Sequence, residues 1–253
     1  MPENLPLISI VIPTYNYAAF LPKALASVFN QTYYNFEIII IDDGSDDDTR
    51  SIIPDLPQVK YYHQENKGLA AARNAGIKKA EGAYLVFLDA DDWLEKDALQ
   101  ENLLAKKNKT DVAFVSGNYY LWHALENKRE PICASIEDHH YKHLLRRNYI
   151  GMHAAVMFQH WVFKEFQYDE NLRACEDYDL YLNIARKYPV IHHQKFIANY
   201  YFHASGLSHN YHLMMNSVFA VIKKQEPYIQ SAEEKIAYFK GLQQWQDYHS
   251  LLQ

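Results

Sequence analysis

Residues 84–92 read YLVFLDADD, a short apolar run joined directly to three carboxylates. The apolar part has the length and composition of a buried strand. Side chains two apart at a strand end face the same way, so Asp89 and Asp91 are expected to address one ligand together. Carboxylate oxygens suit Mg²⁺ or Mn²⁺, ions that keep water and share phosphate oxygens with a substrate. One acid can cap the helix after the strand, but three acids exceed what a cap needs. The stretch therefore predicts a metal site at a strand end.

Around this stretch, apolar runs alternate with helical patterns. Strands are predicted over residues 8–12, 36–41, 59–62 and 112–116, and helices over residues 21–29, 46–53, 69–80 and 96–107. This alternation is typical of an α/β fold with a Rossmann-like, mainly parallel sheet flanked by helices. In such sheets ligands bind beyond the carboxyl ends of the strands. Residues 13–16 (PTYN), 42–45 (DDGS) and 89–92 (DADD) all stand at such ends, so they are expected to converge in one crevice.

The second half of the chain is less regular. Helices are predicted over residues 141–147 and 176–188, a strand over 197–202, and two amphipathic helices from residue 211 onward, broken around Pro227. Without a repeat or a linker, the simplest division is one domain over residues 1–210, with a nucleotide-sugar-binding half (1–120) and an acceptor-binding half (121–210). Residues 211–253 then form a C-terminal helical extension. Covering the core or forming a homodimer is the favoured role for it, with contact to a membrane surface as an alternative.

Composition narrows the classes of function. The chain has 253 residues, a formal net charge of -6 and dispersed lysines and arginines, which disfavours a nucleic-acid binder. The N-terminus lacks the basic region and cleavage site of a signal peptide, and no run approaches the roughly 20 apolar residues of a membrane span. Cys133 and Cys175 are isolated, as expected of reduced thiols. A soluble, cytoplasmic protein is therefore expected, with peripheral contact to the inner face of a membrane as an option.

Two further acidic clusters have a functional and a structural interpretation. In residues 42–46 (DDGSD), the functional interpretation is a carboxylate that accepts hydrogen bonds from a base edge or a ribose. The structural interpretation is an ordinary Asp-Gly turn, which is common in proteins. The order of the acids excludes an EF-hand calcium site. Residues 176–179 (EDYD) suit the start of a helix, where the dipole stabilises acids. They equally suit a general base that deprotonates an attacking hydroxyl. The residues alone leave both interpretations open.

Taken in order, the motifs resemble those of the family 2 glycosyltransferases, which have the GT-A fold. The matching segments are residues 8–16 (ISIVIPTYN), 25–31 (LASVFNQ), 40–45 (IIDDGS), 66–69 (NKGL), 72–76 (ARNAG), 81–82 (EG), 87–92 (FLDADD) and 176–180 (EDYDL). The resemblance is dense over residues 7–120 and thinner to about residue 205. It implies an inverting, metal-dependent transferase of the hexosyl or N-acetylhexosaminyl type that uses Mn²⁺ or Mg²⁺. The donor would be a nucleotide-diphosphate-sugar, commonly a UDP-sugar.

The resemblance also implies roles for individual residues. The donor-binding set it implies is Pro13, Tyr15, Asn16, Asp43, Arg73 and Asp89. Asp91 would coordinate the metal, and Asp177 would be the catalytic base. His203 falls where some relatives place a histidine that faces the metal or the diphosphate, although a histidine in an aromatic strand is more often simply packed.

The sequence departs from the family pattern in two places that bear on the acceptor. Residues 165–170 read EFQYDE where relatives usually carry a GGFDE-like sequence, and no QxxRW motif of processive synthases is present. One sugar per encounter is expected, with a glycan or lipid-linked glycan as acceptor, in cell-surface polysaccharide or lipopolysaccharide synthesis. The alternative is a catalytically degenerate nucleotide-sugar-binding module of the same fold. A dehydrogenase is disfavoured because the first strand is not followed by GxGxxG.

Overall fold

The computed structural model describes residues 5–107, 109–204 and 206–251, with side chains described to residue 247. Its strands are β1 (Ile8–Thr14), β2 (Phe36–Asp42), β3 (Val59–His63), β4 (Tyr84–Phe87), β5 (Trp93–Leu94), β6 (Phe114–His123), β7 (Lys128–Ile132), β8 (Val156–Gln159) and β9 (Val190–Phe202). Its α-helices are α1 (Leu21–Phe29), α2 (Leu69–Lys79), α3 (Ala98–Lys106), α4 (His140–Arg146), α5 (Glu176–Ala185), α6 (Tyr211–Lys223) and α7 (Ala232–Leu251).

The nine strands form one sheet in the order β3-β2-β1-β4-β8-β6-β9-β5, with β7 paired to β6. The first four strands are parallel to one another, which confirms the predicted Rossmann-like half. The second half is mixed: β8 is antiparallel to β4 and β6, whereas β9 is parallel to β6. The α/β fold class is confirmed, and the parallel part of the sheet is the part where helices connect successive strands.

Both faces of the sheet are covered by helices, which explains the continuous apolar runs of the first strands. All seven residues of β1 are buried. One core cluster joins α1 and α3 to one face of the sheet, and a second joins α2, α4 and α5 to the other face. At Gly76 of α2, an added Cβ would lie 2.2 Å from a methyl of Val11, so only glycine lets this helix approach the sheet so closely.

The predicted boundaries hold best in the first half. The helix predicted over residues 46–53 is a shorter 3-10 helix, Asp48–Ile52, whose cap is the Asp47 side chain. The strand predicted at 112–116 extends to His123, and the strand predicted at 197–202 begins already at Val190, because the two pair along most of their length. The sequence does not predict β5, β7 or β8. Strands β5 and β7 are short or polar, and only their pairing with β9 and β6 makes them strands.

The two predicted C-terminal helices are confirmed as α6 and α7. Val221 and Ile222 of α6 are fully buried and belong to the same core cluster as α4 and α5. At Gly241 of α7, a Cβ would lie 2.0 Å from the carbonyl oxygen of Leu145, so α7 crosses α4 in close contact. Among the described residues, no helix has the length and apolarity needed to cross a membrane. The division into residues 1–210 and 211–253 stays a prediction.

Candidate active site

A cleft of about 510 Å³ opens at the carboxyl ends of β1, β2 and β4 and at the start of α5. Its volume lies within the range of small-molecule sites. The predicted residues that line it are Pro13, Tyr15, Asp43, Arg73, Asp89, Asp91 and Asp177. Asn16 and His203 are not among the lining residues, and His203 is connected to the cleft through Asp91. The three strand-end clusters thus converge as the sequence predicted.

Asp43 lies at the cleft and is already strongly hydrogen-bonded. Its carboxylate accepts from Gln64 Nε2 (2.7 Å), from the backbone N–H of Lys67 (3.0 Å) and from that of Gly68 (2.7 Å). A carboxylate offers about four acceptor positions, so these three bonds leave room for one more. Asp43 therefore fixes the start of α2 and retains capacity for a ligand N–H.

Asn16 holds two turns together beside the cleft. Its backbone has a φ of 56°, in the left-handed region that asparagine tolerates better than most residues. The side-chain oxygen accepts from the backbone N–H of Asp46 (2.7 Å), and the backbone N–H donates to Ser45 Oγ (2.9 Å). These contacts tie the 13–16 turn to the 42–46 turn. The neighbouring Tyr15 is 45% exposed at the rim of the cleft.

Arg73 connects the end of β4 with the start of α5. Its side chain is 2% exposed, and its guanidinium donates to Asp89 Oδ1 at 2.7 Å and to Glu176 Oε1 at 2.5 Å. Its Nε is buried and has no hydrogen-bond partner among the described residues. Buried arginine forms such charge-assisted bonds in a fixed fork geometry. Arg73 therefore sets the position of Asp89 relative to the helix that begins at Glu176.

Negative charge is concentrated at the end of β4. Burial and the neighbouring Asp89 raise the pKa of Asp91, while His203 opposes that rise. Burial, followed by repulsion from Asp91 and Asp89, raises the pKa of Asp92 well above its ordinary value. Asp92 also accepts a hydrogen bond from the backbone N–H of Tyr201 at 2.9 Å. A divalent cation at this edge would relieve the repulsion between these carboxylates.

Strand β5 brings His203 to this acidic cluster. Trp93 and Leu94 pair antiparallel with Asn199 and Ala198 of β9, so the end of β9 returns alongside the DADD segment. His203 Nε2 lies 2.9 Å from Asp91 Oδ2, and the His203 side chain is 8% exposed. Carboxylate oxygen and imidazole nitrogen fit Mn²⁺ well and Mg²⁺ in part. Among the described residues, no group of three or more acidic, histidine or cysteine side chains is arranged so that it could hold a metal ion by itself.

Asp177 stands in the first turn of α5. The residue before this helix, Cys175, has a φ of 61°. Asp177 Oδ1 accepts from the backbone N–H of Tyr178 at 2.7 Å. Burial, followed by repulsion from Glu176, raises the pKa of Asp177 to about 7, and the positive charge of Arg73 opposes that rise. A carboxyl group with a pKa near 7 can both accept and release a proton at neutral pH.

Several residues that line the cleft were given no role by the sequence, among them Tyr17, Glu176 and His153. Tyr17 follows the PTYN motif directly, and burial followed by the charges of the three aspartates raises its pKa to about 12. Glu176 belongs to the EDYD motif, but the motif gave it no role of its own. His153 had no signal, because it stands in an apolar segment; its two ring nitrogens lie 2.5 Å from the hydroxyls of Tyr181 and Tyr168. Only the fold brings these groups together.

Comparison with known proteins identifies the family of the chain. The model of glycosyl transferase family 2 matches residues 9–167. An uncharacterized glycosyltransferase of Rickettsia conorii is 36% identical over 192 residues, covering 71% of this chain and 30% of that protein. Chondroitin synthase of Escherichia coli is 29% identical over 223 residues, covering 81% of this chain and 30% of that protein. The chain thus spans about a third of the length of these relatives.

Solved structures support the fold. Staphylococcus aureus TarS (residues 1–349) in complex with UDP-GlcNAc matches with a TM-score of 0.70 at 18% identity, covering 93% of this chain and 71% of that one. The mannosyltransferase PcManGT of Pyrobaculum calidifontis, in complex with GDP-Man and Mn²⁺, matches with a TM-score of 0.70 at 17% identity, covering 95% and 70%. At these identities the likeness shows the fold alone. The family match, the similar relatives and the convergence of the motif residues together establish that this chain belongs to glycosyl transferase family 2.

Proposed function

We propose that the protein is an inverting, metal-dependent glycosyltransferase that moves a hexosyl or N-acetylhexosaminyl group from a UDP-sugar to an acceptor hydroxyl. The observation that carries this proposal is the shared cleft. Asp177, whose pKa is raised to about 7, lines the same cavity as Asp43, Asp89 and Asp91. A single displacement requires a base on one side of the reacting carbon and, on the other side, groups that can bind the nucleotide and hold a metal ion.

In the proposed reaction, deprotonated Asp177 accepts the proton of the acceptor hydroxyl as its oxygen attacks the anomeric carbon. The new C–O bond forms while the bond to the diphosphate breaks, and the electron pair leaves with the nucleoside diphosphate. Attack from the side opposite to the leaving group inverts the anomeric centre. The transition state of this reaction has oxocarbenium character. Asp89, which Arg73 holds in position, would orient the donor sugar or the ribose.

A divalent metal would be held by Asp91 and by His203, whose Nε2 lies 2.9 Å from Asp91 Oδ2. When bound, such an ion supplies Lewis-acid stabilisation of the charge that develops on the departing diphosphate. Mn²⁺ and Mg²⁺ both fit an oxygen-rich site. The imidazole favours Mn²⁺.

Pro13, Tyr15 and Asp43 are proposed to hold the nucleobase, with the spare acceptor position of Asp43 taking an N–H of uracil. Asn16 would act indirectly, by fixing the turn that carries Asp43. TarS has been crystallised with UDP-GlcNAc and the mannosyltransferase with GDP-Man, so the fold accepts more than one base. Uracil is proposed because it is the common base in the family.

The acceptor is proposed to be a glycan or lipid-linked glycan, and the protein is proposed to act in the cytoplasm, in the synthesis of cell-surface polysaccharide or lipopolysaccharide. The name of the chondroitin synthase relative supports a role in polysaccharide synthesis. The second candidate, a degenerate binding module, would be expected to have lost a charged residue of the site. Asp91 and Asp177 are both present and both line the cleft, which favours the enzyme.

A thermal-shift screen tests the donor site. The melting temperature is measured with UDP-, GDP- and dTDP-sugars and the free diphosphates, with and without Mn²⁺, for the wild type, Asp91→Ala and Asp55→Ala. Asp55 is exposed and outside the cleft, so it is the matched control for loss of one carboxylate.

We expect stabilisation by a uridine nucleotide that requires Mn²⁺, is retained in Asp55→Ala and is lost in Asp91→Ala. Stabilisation by a guanosine or thymidine nucleotide alone would refute the proposed base. A folded wild-type protein that responds to no nucleotide would refute the donor site, for the enzyme and for the binding module alike. Release of nucleoside diphosphate from a stabilising donor then separates the enzyme from the binding module.

A further inference from the structure

A second cleft, of about 260 Å³, lies between α4 and α7. One wall carries four basic or titratable side chains, His139, Lys142, His143 and Arg146. The spacing of these residues places them on one face of the α4 segment. The other wall is formed by Glu233 and Ile236 of α7. None of these residues lines the candidate active site.

The positive charge in this cleft is only partly neutralised. Lys142 pairs with Glu233 at 2.5 Å, but the Glu233 side chain is 74% exposed, and exposed pairs contribute little. Arg146 has no carboxylate within ion-pair distance among the described residues, and its buried Nε has no hydrogen-bond partner there. Guanidinium groups are suited to the recognition of a phosphate. With the histidines neutral, Lys142, Arg146 and Glu233 leave the lining with one excess positive charge, on a chain whose net charge is -6.

Exposed apolar side chains flank the cleft on α7. Ile236 is 53% exposed and Phe239 is 54% exposed. Lys235 and Lys240 are also exposed beside them, whereas Ala237 and Tyr238 on the opposite side are buried in the core. Exposed apolar side chains next to lysines can insert at the interface of a membrane.

We propose that the α4–α7 face docks on a membrane that contains anionic phospholipids, with a headgroup phosphate at Arg146 and Lys142 and with Ile236 and Phe239 in the interface. A soluble anion would satisfy the cations but would leave both apolar side chains in water. A membrane surface satisfies both sets at once, because anionic headgroups lie directly above an apolar layer. Taken alone, residues 211–253 are not strongly basic. In the folded chain, the cations of the α4 segment lie beside α7. The surface extends the proposed function, on which it rests, since it would hold the enzyme near a lipid-linked acceptor.

Vesicle co-sedimentation of the full chain tests the proposal. The vesicles are phosphatidylcholine alone or phosphatidylcholine with a third phosphatidylglycerol, at low and high salt. The variants are Lys142→Gln/Arg146→Gln, Phe239→Ser and the matched control Lys78→Gln/Lys107→Gln, which removes the same charge from exposed positions outside the cleft. Thermal melting confirms that each variant folds. The Mn²⁺-dependent nucleotide response is measured in parallel and is expected to be unchanged, which separates this proposal from that of the donor site.

We expect the wild type and the control to bind phosphatidylglycerol vesicles in a salt-sensitive manner and to ignore phosphatidylcholine. Each cation near an anionic surface strengthens binding roughly fivefold, so the double cleft variant should bind on the order of 25-fold more weakly. Phe239→Ser should also weaken binding. Absence of vesicle binding by the wild type, or equal loss in the control, would overturn the proposal. Two further results would overturn it. One is self-association of the protein in the absence of lipid that Phe239→Ser abolishes, and the other is a thermal shift with inorganic phosphate in a protein that does not bind vesicles.

Discussion

Replacing Asp177 with asparagine changes two measurable properties of the protein, because the same carboxyl group is proposed as the base and lies in a poor environment for a charge. Burial and Glu176 raise its pKa from 3.8 to about 7. Asparagine keeps the shape of the side chain but neither titrates nor accepts a proton as a base. We therefore expect a loss of activity together with a gain in stability at alkaline pH.

The sign of the stability effect follows from proton linkage. With a folded-state pKa of about 7 and an unfolded value near 3.8, the folded protein binds more protons than the unfolded chain between these values. The contribution of Asp177 to stability is therefore complete below the unfolded pKa and is lost as the pH rises through the folded one. One pH unit corresponds to about 1.4 kcal/mol, so the full loss is about 4 kcal/mol. Between about pH 5 and about pH 8 it is roughly 3 kcal/mol.

Urea denaturation of wild type, Asp177→Asn and the exposed control Asp55→Asn at these two pH values measures the effect. The free-energy difference between Asp177→Asn and wild type should increase in favour of the variant by roughly 3 kcal/mol from the lower to the higher pH. The difference for Asp55→Asn should not change. Release of nucleoside diphosphate from the donor should fall by about 10²–10⁴ in Asp177→Asn. In the wild type this rate should rise as the pH increases through about 7.

A pH-independent difference for Asp177→Asn would refute the raised pKa, because the carboxyl group would then titrate as it does in the unfolded chain. Unchanged donor turnover in a folded variant would refute the role of the base. The two results are independent. A raised pKa with unchanged turnover would support the electrostatic description of the cleft and would show that another group is the base.

Three further perturbations have defined outcomes. In urea denaturation, Arg73→Met should lower the free energy of unfolding by about 3–5 kcal/mol, because it leaves the buried charge of Glu176 unpaired. Adding Glu176→Gln removes that charge and should recover part of the loss. No recovery would contradict the pairing of Arg73 with Glu176. His203→Ala should raise the Mn²⁺ concentration for half-maximal nucleotide-dependent thermal shift roughly tenfold or more, and an unchanged value would exclude it as a ligand. In urea denaturation, Gly241→Ala should lower the free energy of unfolding by about 1–3 kcal/mol, because its Cβ would lie 2.0 Å from the carbonyl oxygen of Leu145. An unchanged stability would contradict that contact.

The part of the fold that the sequence predicts well is the part governed by local periodicity. Strands β1, β2 and β4 are apolar runs buried on both faces, and each ends at a polar cluster, so both their type and the convergence of their ends are readable. Strand β5 has two residues and no pattern of its own. It exists because Trp93 and Leu94 pair with β9 across a separation of about a hundred residues. That pairing is what places His203 beside Asp91, and no local signal reports it.

The acids at the start of α5 show why a motif does not assign roles. Glu176, Asp177 and Asp179 stand within four residues, and each has a different environment in the folded chain. Glu176 is buried against Arg73, and Asp179 is buried against Lys224 at the end of α6. Asp177 has no basic partner within ion-pair distance among the described residues and lines the cleft.

The two outer acids are thus held by cations that lie far away in the sequence, on α2 and after α6. This leaves one carboxyl group of the three without a salt bridge, in a position where burial and the neighbouring Glu176 raise its pKa towards neutrality. Helix-dipole stabilisation, the structural interpretation of the motif, applies equally to all three and cannot select among them. The proposal of Asp177 as the base therefore rests on the tertiary structure, because Lys224 and Arg73 pair with the other two acids and leave Asp177 without a salt bridge.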